Sequence, residues 1–342
     1  PLRDTDADGD TAAGDANTGA PGAKPGGAPS EWAAGGAATG LTVLVTGATG
    51  YIGGGILHIL REAGIDVLAG VRSTASLPAG ATVLLTGDLT GSGLKLPPME
   101  AVIHAAGLGH RRGVATETWR RANVDAAVNL ARAAREAGAK RFILISTAHV
   151  HGRVHQGMVT DTTPPNPMDA YAESKLQAEH DVAAAFGPGL CIIRPVAVIG
   201  PGCPGNIQLL LKLLARGIPL PFGAVQNRRS FIARDDLARI VRAALQAPAM
   251  PESMLAAHWE TISTPDLIRA LAQGLGTEAR LPACPPHILA AASAMLGRSA
   301  MWQSLSGDFV ANPAAARAMD WEPAASLAET FQETARYYNT TT

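Results

Sequence analysis

Cysteine is nearly missing from this chain: Cys191, Cys203 and Cys284 are all there is in 342 residues. Three thiols at such uneven spacing make neither a disulfide framework nor a thiolate metal site, so a reducing, cytoplasmic setting is expected. An excess of either charge is missing too. With 28 Lys and Arg against 29 Asp and Glu, a formal net charge of -1 and no basic block, an electrostatic nucleic-acid binder is excluded. No apolar run approaches the roughly 20 residues a membrane helix needs; the best stretch, 288–296, is far too short, so a soluble protein with no membrane partner is expected. Large aliphatic side chains are scarce in residues 1–40, which are rich in Gly, Ala, Asp and Pro. Such a segment cannot bury enough apolar surface to offset its ordering entropy, and it is expected to be a disordered tail. It carries no basic-then-apolar secretory pattern. Its start at Pro1 rather than Met is expected to reflect processing, truncation or a mistaken start.

What is present is an ordinary globular composition, 47% hydrophobic and 17% charged, enough for one large or two modest domains. After the tail, strands and helices alternate. Residues 41–46 form a short β-branched run, followed at once by Gly47-Ala-Thr-Gly50-Tyr51-Ile52-Gly53 and then by a helical aliphatic pattern. Strand, glycine turn and helix in that order is the context of a dinucleotide fingerprint: glycines let the backbone approach a pyrophosphate, whose charge meets the free N–H groups of the helix N-terminus. A second strand over 66–71 runs into Arg72-Ser73-Thr74. At that place an acid would bind the adenosine 2′-hydroxyl and an arginine would accept a 2′-phosphate. Val71 is no acid, so the reading leans to NADP(H), with NAD as the alternative and a solvated loop arginine as the plainer one. A third strand (82–86) ends near Asp88 and Leu89, with Asp88 placed to reach the adenine amino group. A fourth (101–104) runs into Ala105, Ala106 and Gly107, small enough for the backbone to lie close to a cofactor. A long Ala-rich helix is predicted over 114–137, stopped by Gly138. A fifth strand (141–146), apolar throughout as a central parallel strand should be, carries Ser146 and Thr147 at its carboxyl end, where such sheets bind ligands.

The next helix holds Tyr171-Ala-Glu-Ser-Lys175, with Asn166 as N-cap, Pro167 at the first position and Asp169 in the first turn. A spacing of four puts phenol and ammonium on one face, about 5 to 6 Å apart at Cβ. A nearby cation favours phenolate, so Lys175 is expected to draw the acidity of Tyr171 toward working pH. By itself this is a pair found on many solvated helices. A sixth strand (190–194) leads to Pro195, after which the alternation breaks down into a smaller, mixed lobe.

Taken in order, Thr46-Gly47-Ala-Thr-Gly50-Tyr-Ile-Gly53, His104-Ala-Ala106, Asn123-Val124, Ser146-Thr147, Tyr171-Ala-Glu-Ser-Lys175, Arg194-Pro195 and Gly200-Pro-Gly202 resemble the extended short-chain dehydrogenase/reductases, the NAD-dependent epimerase/dehydratase family. The likeness runs over roughly residues 41–340. It implies a Rossmann-like doubly wound α/β fold, with a cofactor domain over 41–200, touching the cofactor also at Lys175 and Pro195, and a nucleotide-sugar lobe over 201–342. It implies a triad of Thr147, Tyr171 and Lys175, since the catalytic hydroxyl of the family lies five residues before the glycine matched by Gly152; Ser146 is the fallback. Thr147 would bind the substrate oxygen, Tyr171 exchange the proton, and Lys175 bind the nicotinamide ribose.

Later segments are similar to the part of the family that grips a UDP-sugar, with Arg229 matching a diphosphate contact and Asn206 another residue of that pocket; read alone, Arg228 and Arg229 are a solvated pair. The closer likeness is to bacterial polysaccharide-cluster enzymes, UDP-glucose 4-epimerases or reductases of UDP-4-keto-6-deoxy-N-acetylhexosamines. The leading expectation is a 4-keto reductase using NADP(H). The alternatives are a 4-epimerase with retained NAD and a non-catalytic NADP(H) sensor. Family dehydratases carry Asp-Glu directly after the catalytic threonine; here Ala148-His149 stands instead, which disfavours dehydration. His151 replaces a usual tyrosine. His149, His151 and His155 lack an acid or thiol to complete a metal site, so no metal is expected. Family members often dimerise through the helices after the fourth and fifth strands, which leaves a homodimer open.

Overall fold

The computed structural model describes residues 42–73, 81–91, 93–109 and 113–341. The 1–40 tail, Leu41 and Thr74 lie outside them. Short β-branched and aliphatic runs supply the strands β1 (Val43–Thr46), β2 (Val67–Val71), β3 (Thr82–Leu85), β4 (Ala101–His104), β5 (Arg141–Ile145), β6 (Met158–Thr160), β7 (Leu190–Pro195), β8 (Ala197–Ile199), β9 (Arg229–Ala233) and β10 (Ser253–Ala256). Seven of them make one parallel sheet in the order β10-β7-β5-β4-β1-β2-β3. The winding reverses between β1 and β4, and open α/β sheets bind ligands outside the strand ends at such a point. Strands β1 and β4 are buried at every residue, because helices cover both faces.

Those helices are α1 (Tyr51–Glu62), α3 (Ala126–Glu136), α4 (Ala170–Phe186) and α6 (Arg234–Gln246), with the short α2 (Thr116–Trp119) before α3; α5 (Asn206–Ala215) belongs to the region beyond the sheet. Leu44, Val102, Phe142 and Leu144 point to one face and pack with Leu130, Ala134, Ala178 and Val182 of α3 and α4. The alternate residues Val45, Ile103 and Ile143 serve the other face, where α1 and α6 pair. Burying each such aliphatic or aromatic side chain is worth roughly 1.5–3 kcal/mol.

Three local expectations are corrected. The helix predicted over 114–137 runs from Thr116 to Glu136 and contains a π-helical turn, Arg120–Asp125, between α2 and α3. The cap of α4 is Asp169, not Asn166: Asp169 is extended (φ -156°) and its Oδ1 accepts the Ala172 N–H at 2.9 Å, the usual reach of an N-cap carboxylate to the third helical amide. The sheet takes its seventh strand, β10, from far beyond residue 200, paired parallel to β7. Only four residues long, β10 leaves little trace in the sequence.

The remaining elements are β11 (Thr261–Ile262), α7 (Thr264–Leu275), α8 (Pro286–Met295), α9 (Ser299–Ser306), β12 (Val310–Asn312), α10 (Ala314–Arg317) and α11 (Leu327–Thr341). Leu210, Leu211 and Leu214 of α5, Leu267, Ile268 and Leu271 of α7, and Phe331 of α11 form a second apolar core, in which Phe231 meets Phe331 edge to face at 5.2 Å. Small sheets β11-β9-β8 and β12-β6 stitch this region together. Among the described residues no helix is long and apolar enough to cross a membrane.

Candidate active site

The turn between β1 and α1 is built so tightly that it admits glycine alone. Gly47 adopts φ +75°, and a Cβ there would lie 2.6 Å from the Ala106 nitrogen and 2.7 Å from the Ala105 carbonyl carbon. A Cβ on Gly53 would sit 2.1 Å from the Gly47 oxygen, so α1 rests directly on the turn. At its N-terminus α1 has no side-chain cap on Gly50 and no acid in its first turn. Its leading N–H groups are left for an anion.

In front of this turn opens a cleft of about 540 Å³. Of the residues predicted to hold a cofactor, Gly47, Gly50, Arg72, Asp88, Leu89, Ala105, Ala106 and Gly107 line it together. The structure adds Thr49, from within the glycine turn, and Thr86 and Thr90, both from the segment after β3. The cleft therefore fits a dinucleotide: a glycine cradle and helix end for the pyrophosphate, with Arg72 and Asp88 at the far strands. The Asp88 carboxylate accepts the Thr90 N–H at 3.0 Å, and that bond holds it below the usual carboxylate range.

Other predicted residues are not in the cleft lining. Gly53 contributes by close packing. The Tyr51 ring turns toward the second core and lies under the Arg234 guanidinium, 5.4 Å from the ring centroid, so only its backbone and that of Ile52 face the helix end. Pro195 closes β7 opposite Ala256. Asn206 begins α5. Arg229 is 8% exposed, and its guanidinium donates to the Gly307 carbonyl at 2.8 Å and the Arg153 carbonyl at 3.4 Å, with burial lowering it to about 10. It is neither solvated nor presented as an open fork.

At the carboxyl end of β5 the two neighbouring hydroxyls part company. Ser146 donates its hydroxyl to the buried Glu179 carboxylate, which Arg194 also grips at 2.7 Å. Thr147 starts the 3-10 turn Ala148–His151, its Oγ1 accepting the His149 N–H at 3.2 Å, and it is hydrogen-bonded to Tyr171. The Tyr171 ring is flanked by Trp119 at 5.5 Å and by His149 at 6.3 Å.

The expected lowering of Tyr171 by Lys175 is overturned. Burial raises the phenol above its ordinary value, the Thr147 bond opposes that, and the Asp169 charge adds to it. Lys175 donates to the Ile145 carbonyl at 2.8 Å, and burial lowers it to about 8 against the opposing pull of Glu179. Desolvation outweighs the pairing that helical spacing suggested.

Two supporting residues carry no role in the sequence reading. Asn123, in the π-helical turn, accepts the Leu108 N–H at 2.8 Å and donates to Ser174 Oγ at 3.0 Å, tying the loop after β4 to α4 beside Lys175. A Cβ on Gly107 would meet its Oδ1 at 3.0 Å. π-Helical turns often mark functional sites, yet nothing in residue spacing foretells one. His104, 1% exposed, shares a 2.7 Å hydrogen bond between its Nδ1 and Thr46 Oγ1, while its Nε2 has no partner among the described residues. Burial, helped by the Lys175 charge, lowers it to about 3.

That last shift makes a stability prediction. Between pH 6.5, where an unfolded imidazole titrates, and about 3, the unfolded chain binds a proton that the fold refuses. Stability therefore falls as pH falls through this window, by up to about 1.4 kcal/mol per pH unit from this residue. Urea midpoints of wild type and His104→Gln, compared from pH 7 to 4, should show a shallower decline in the variant. Parallel declines would refute the assignment.

Among the described residues no group of three His, Cys, Asp or Glu side chains is placed to hold a metal ion.

The chain is similar to known proteins. The chain is 29% identical to a UDP-glucose 4-epimerase of Vibrio cholerae over 313 residues, 87% of this chain and 95% of the relative. It is 30% identical to a ceramide reductase of Caulobacter vibrioides over 272 residues, 77% and 79% of the two chains. In fold it is similar to the UDP-glucuronic acid 4-epimerase of Bacillus cereus, solved in complex with NAD, with a TM-score of 0.71, 21% identity and coverage of 88% and 100%. A family model described as the NAD dependent epimerase/dehydratase family matches residues 43–255. Since that match runs from the first residue of β1 into the seventh strand of the sheet and so takes in the glycine turn, the cleft and the Tyr171 helix, the chain belongs to the NAD dependent epimerase/dehydratase family.

Proposed function

We propose that this enzyme reduces the C4 ketone of a UDP-linked sugar, using NADPH. The observation that carries the reading is the Thr147–Tyr171 hydroxyl pair, with the phenol held protonated, at the strand ends beside the cleft. A neutral phenol is ready to donate a proton to a carbonyl oxygen, which is the reductive direction. Thr147 holds that oxygen and Tyr171 gives it the proton. Ser146, committed to Glu179, serves the framework instead. The cofactor, when bound, supplies the hydride; the protein supplies placement and charge. Lys175 takes the nicotinamide ribose, for which its ammonium would exchange the Ile145 carbonyl. Gly47, Gly50 and the amides of Tyr51 and Ile52 hold the pyrophosphate, and Arg72 the 2′-phosphate. The sugar nucleotide lies toward the lobe built after residue 200, where Asn206 and Arg229 are the diphosphate-side residues. To reach a phosphate, Arg229 would trade the Gly307 carbonyl for it.

Arg72 tests the cofactor choice. A charge-assisted hydrogen bond is worth about 1.5–3 kcal/mol, so Arg72→Ala should lower the NADPH-over-NADH preference in kcat/KM roughly 10- to 100-fold. An unchanged ratio would remove Arg72 from the 2′-phosphate.

The second reading, a 4-epimerase with retained NAD, is favoured by the 29% identity to the Vibrio cholerae enzyme over nearly its whole length. One experiment separates the two. NADPH and a UDP-4-keto-6-deoxy-N-acetylhexosamine are mixed with the protein, and the loss of reduced-nicotinamide absorbance is followed. Consumption supports the reductase. Tightly retained NAD on the purified protein, interconversion of UDP-hexoses and no net consumption would replace it with the epimerase.

A further inference from the structure

Helix α8 is apolar on every side, with only His287 and Ser293 interrupting its apolar residues. A helix of that kind is normally sealed inside a protein or placed in lipid. Here none of its residues is buried. It leans on α9, which reaches the second core through Met301 and Leu305, but α8 adds nothing to that core. Ile288, Ala291, Ala292 and Met295 fall at the i, i+3, i+4 and i+7 positions of one helix face, and all four are exposed, Ile288 at 51% and Met295 at 87%. Leu296, just past the helix end, is 73% exposed. Charge is one-sided around this stripe. From Ala279 to Gly307 the chain has no Asp or Glu, while the exposed Arg280 precedes α8 and the exposed Arg298 follows it; Glu278 and Asp308 bound the stretch. The segment 205–226 is also free of acids and brings the exposed Lys212, Arg216 and Ile218. It lies against the first stretch, the Leu220 N–H donating to the Arg280 carbonyl at 2.9 Å and the Phe222 ring stacking on Trp302 with centroids 6.4 Å apart. In a chain of net charge -1, cations are thus gathered without counter-charges around exposed aliphatic side chains.

We propose that this face docks on the surface of an anionic phospholipid bilayer, with the α8 stripe set into the headgroup layer and Arg280, Arg298, Arg216 and Lys212 meeting lipid phosphates. A bilayer offers negative charge above hydrocarbon, which complements cations placed on either side of an apolar stripe. Among the described residues no helix can span a membrane, yet a helix that lies in the interface needs no spanning length. The expectation of no membrane partner was drawn from missing spans and does not reach this case. A second copy of the chain fits less well. Two-fold pairing through α8 would bring the same arginines toward each other, and a helix of 10 residues, about 15 Å long, presents far less than the roughly 800 Å² per partner of a stable interface. The stripe of Ile288, Ala291, Ala292 and Met295 carries no side-chain hydrogen-bond donor to fix register with a partner chain, and a fluid bilayer asks for none. Docking is independent of the C4-ketone reading and stands or falls without it.

The test is co-sedimentation of the full chain with vesicles of phosphatidylcholine alone, or of phosphatidylcholine with about 30% phosphatidylglycerol, at about 0.05 and 0.5 M salt. Wild type should pellet with the anionic vesicles at low salt, be released at high salt, and bind the neutral vesicles at least about tenfold more weakly. Arg280→Gln with Arg298→Gln removes two surface cations and should weaken binding about 30-fold. Met295→Gln with Leu296→Gln keeps every charge and should weaken it at least about tenfold, because side chains that enter the acyl boundary become polar. All four positions are exposed, so both double variants should melt as wild type does. Sedimentation velocity without vesicles reads self-association in the same samples. No binding to anionic vesicles overturns the proposal, as does binding that either folded double variant leaves unchanged. A dimer that Met295→Gln with Leu296→Gln dissociates, in a protein that ignores vesicles, overturns it in favour of a second copy.

Discussion

Tyr171→Phe should cut turnover by 10²- to 10⁴-fold, the span for losing a positioned acid/base group, while cofactor affinity stays within about twofold. The substitution removes one oxygen and leaves the ring in place between Trp119 and His149. Nothing near it is forced to move, and the loss of a buried phenol that burial had held in its neutral form costs little. What is lost is the Thr147 partner and the proton that the proposed reduction gives to the substrate oxygen. Cofactor binding depends on the glycine turn and the cleft, whose lining does not include Tyr171. The measurement is single-turnover reduction alongside fluorescence titration of the reduced nucleotide. Turnover within tenfold of wild type would mean that the proton comes from elsewhere, and a parallel collapse of affinity would mean that Tyr171 holds the site together rather than serving its chemistry.

Gly53→Ala should be severely damaging for a single added methyl. In a helix interior, alanine normally gains about 1 kcal/mol over glycine. Here the added Cβ would lie 2.1 Å from the Gly47 oxygen, 2.6 Å from its carbonyl carbon and 3.1 Å from the Ala48 nitrogen. All three are backbone atoms in a turn that already holds Gly47 at φ +75°, so no side chain can swing aside. The helix must lift off the turn, which separates its N–H groups from the cradle they complete. The expected cost is about 3 kcal/mol of stability, the upper end for overpacking, together with loss of nucleotide binding. Gly54→Ala meets only the Ala48 oxygen at 3.3 Å and should cost far less. Melting curves and nucleotide titrations of the two variants read this directly. Equal behaviour would show that α1 does not rest on the turn as described.

Both predictions use residues that were legible before any coordinates. The glycine turn announces itself because its constraint is local: strand, tight turn and helix start within a dozen residues. Tyr171 and Lys175 are legible for the same reason, lying one helical turn apart. The Asp169 cap is harder, because Asn166 and Asp169 are both good caps and only the path of the proline-rich segment 163–167 decides between them. The π-helical turn at Arg120–Asp125 is harder still. Its residues give no local signal of a bulge, and the Asn123 it carries bonds to both Leu108 and Ser174, 15 and 51 residues away.

By itself, then, the sequence determined the parallel α/β alternation, the dinucleotide turn and the presence of a hydroxyl, a phenol and an ammonium near the end of the fifth strand, since each depends on spacing within one or two neighbouring elements. Only the tertiary structure decided what those groups experience. Glu179, 33 residues from Ser146, takes one hydroxyl and leaves Thr147 for Tyr171. Gly307, 78 residues from Arg229, takes a guanidinium that the sequence left as a solvated pair with Arg228 or a diphosphate ligand. β10, from beyond residue 250, becomes the edge of the sheet. Burial, which no local pattern measures, keeps the Tyr171 proton on and lowers Lys175 to about 8, because a charge removed from water loses more than a neighbour one helical turn away can return.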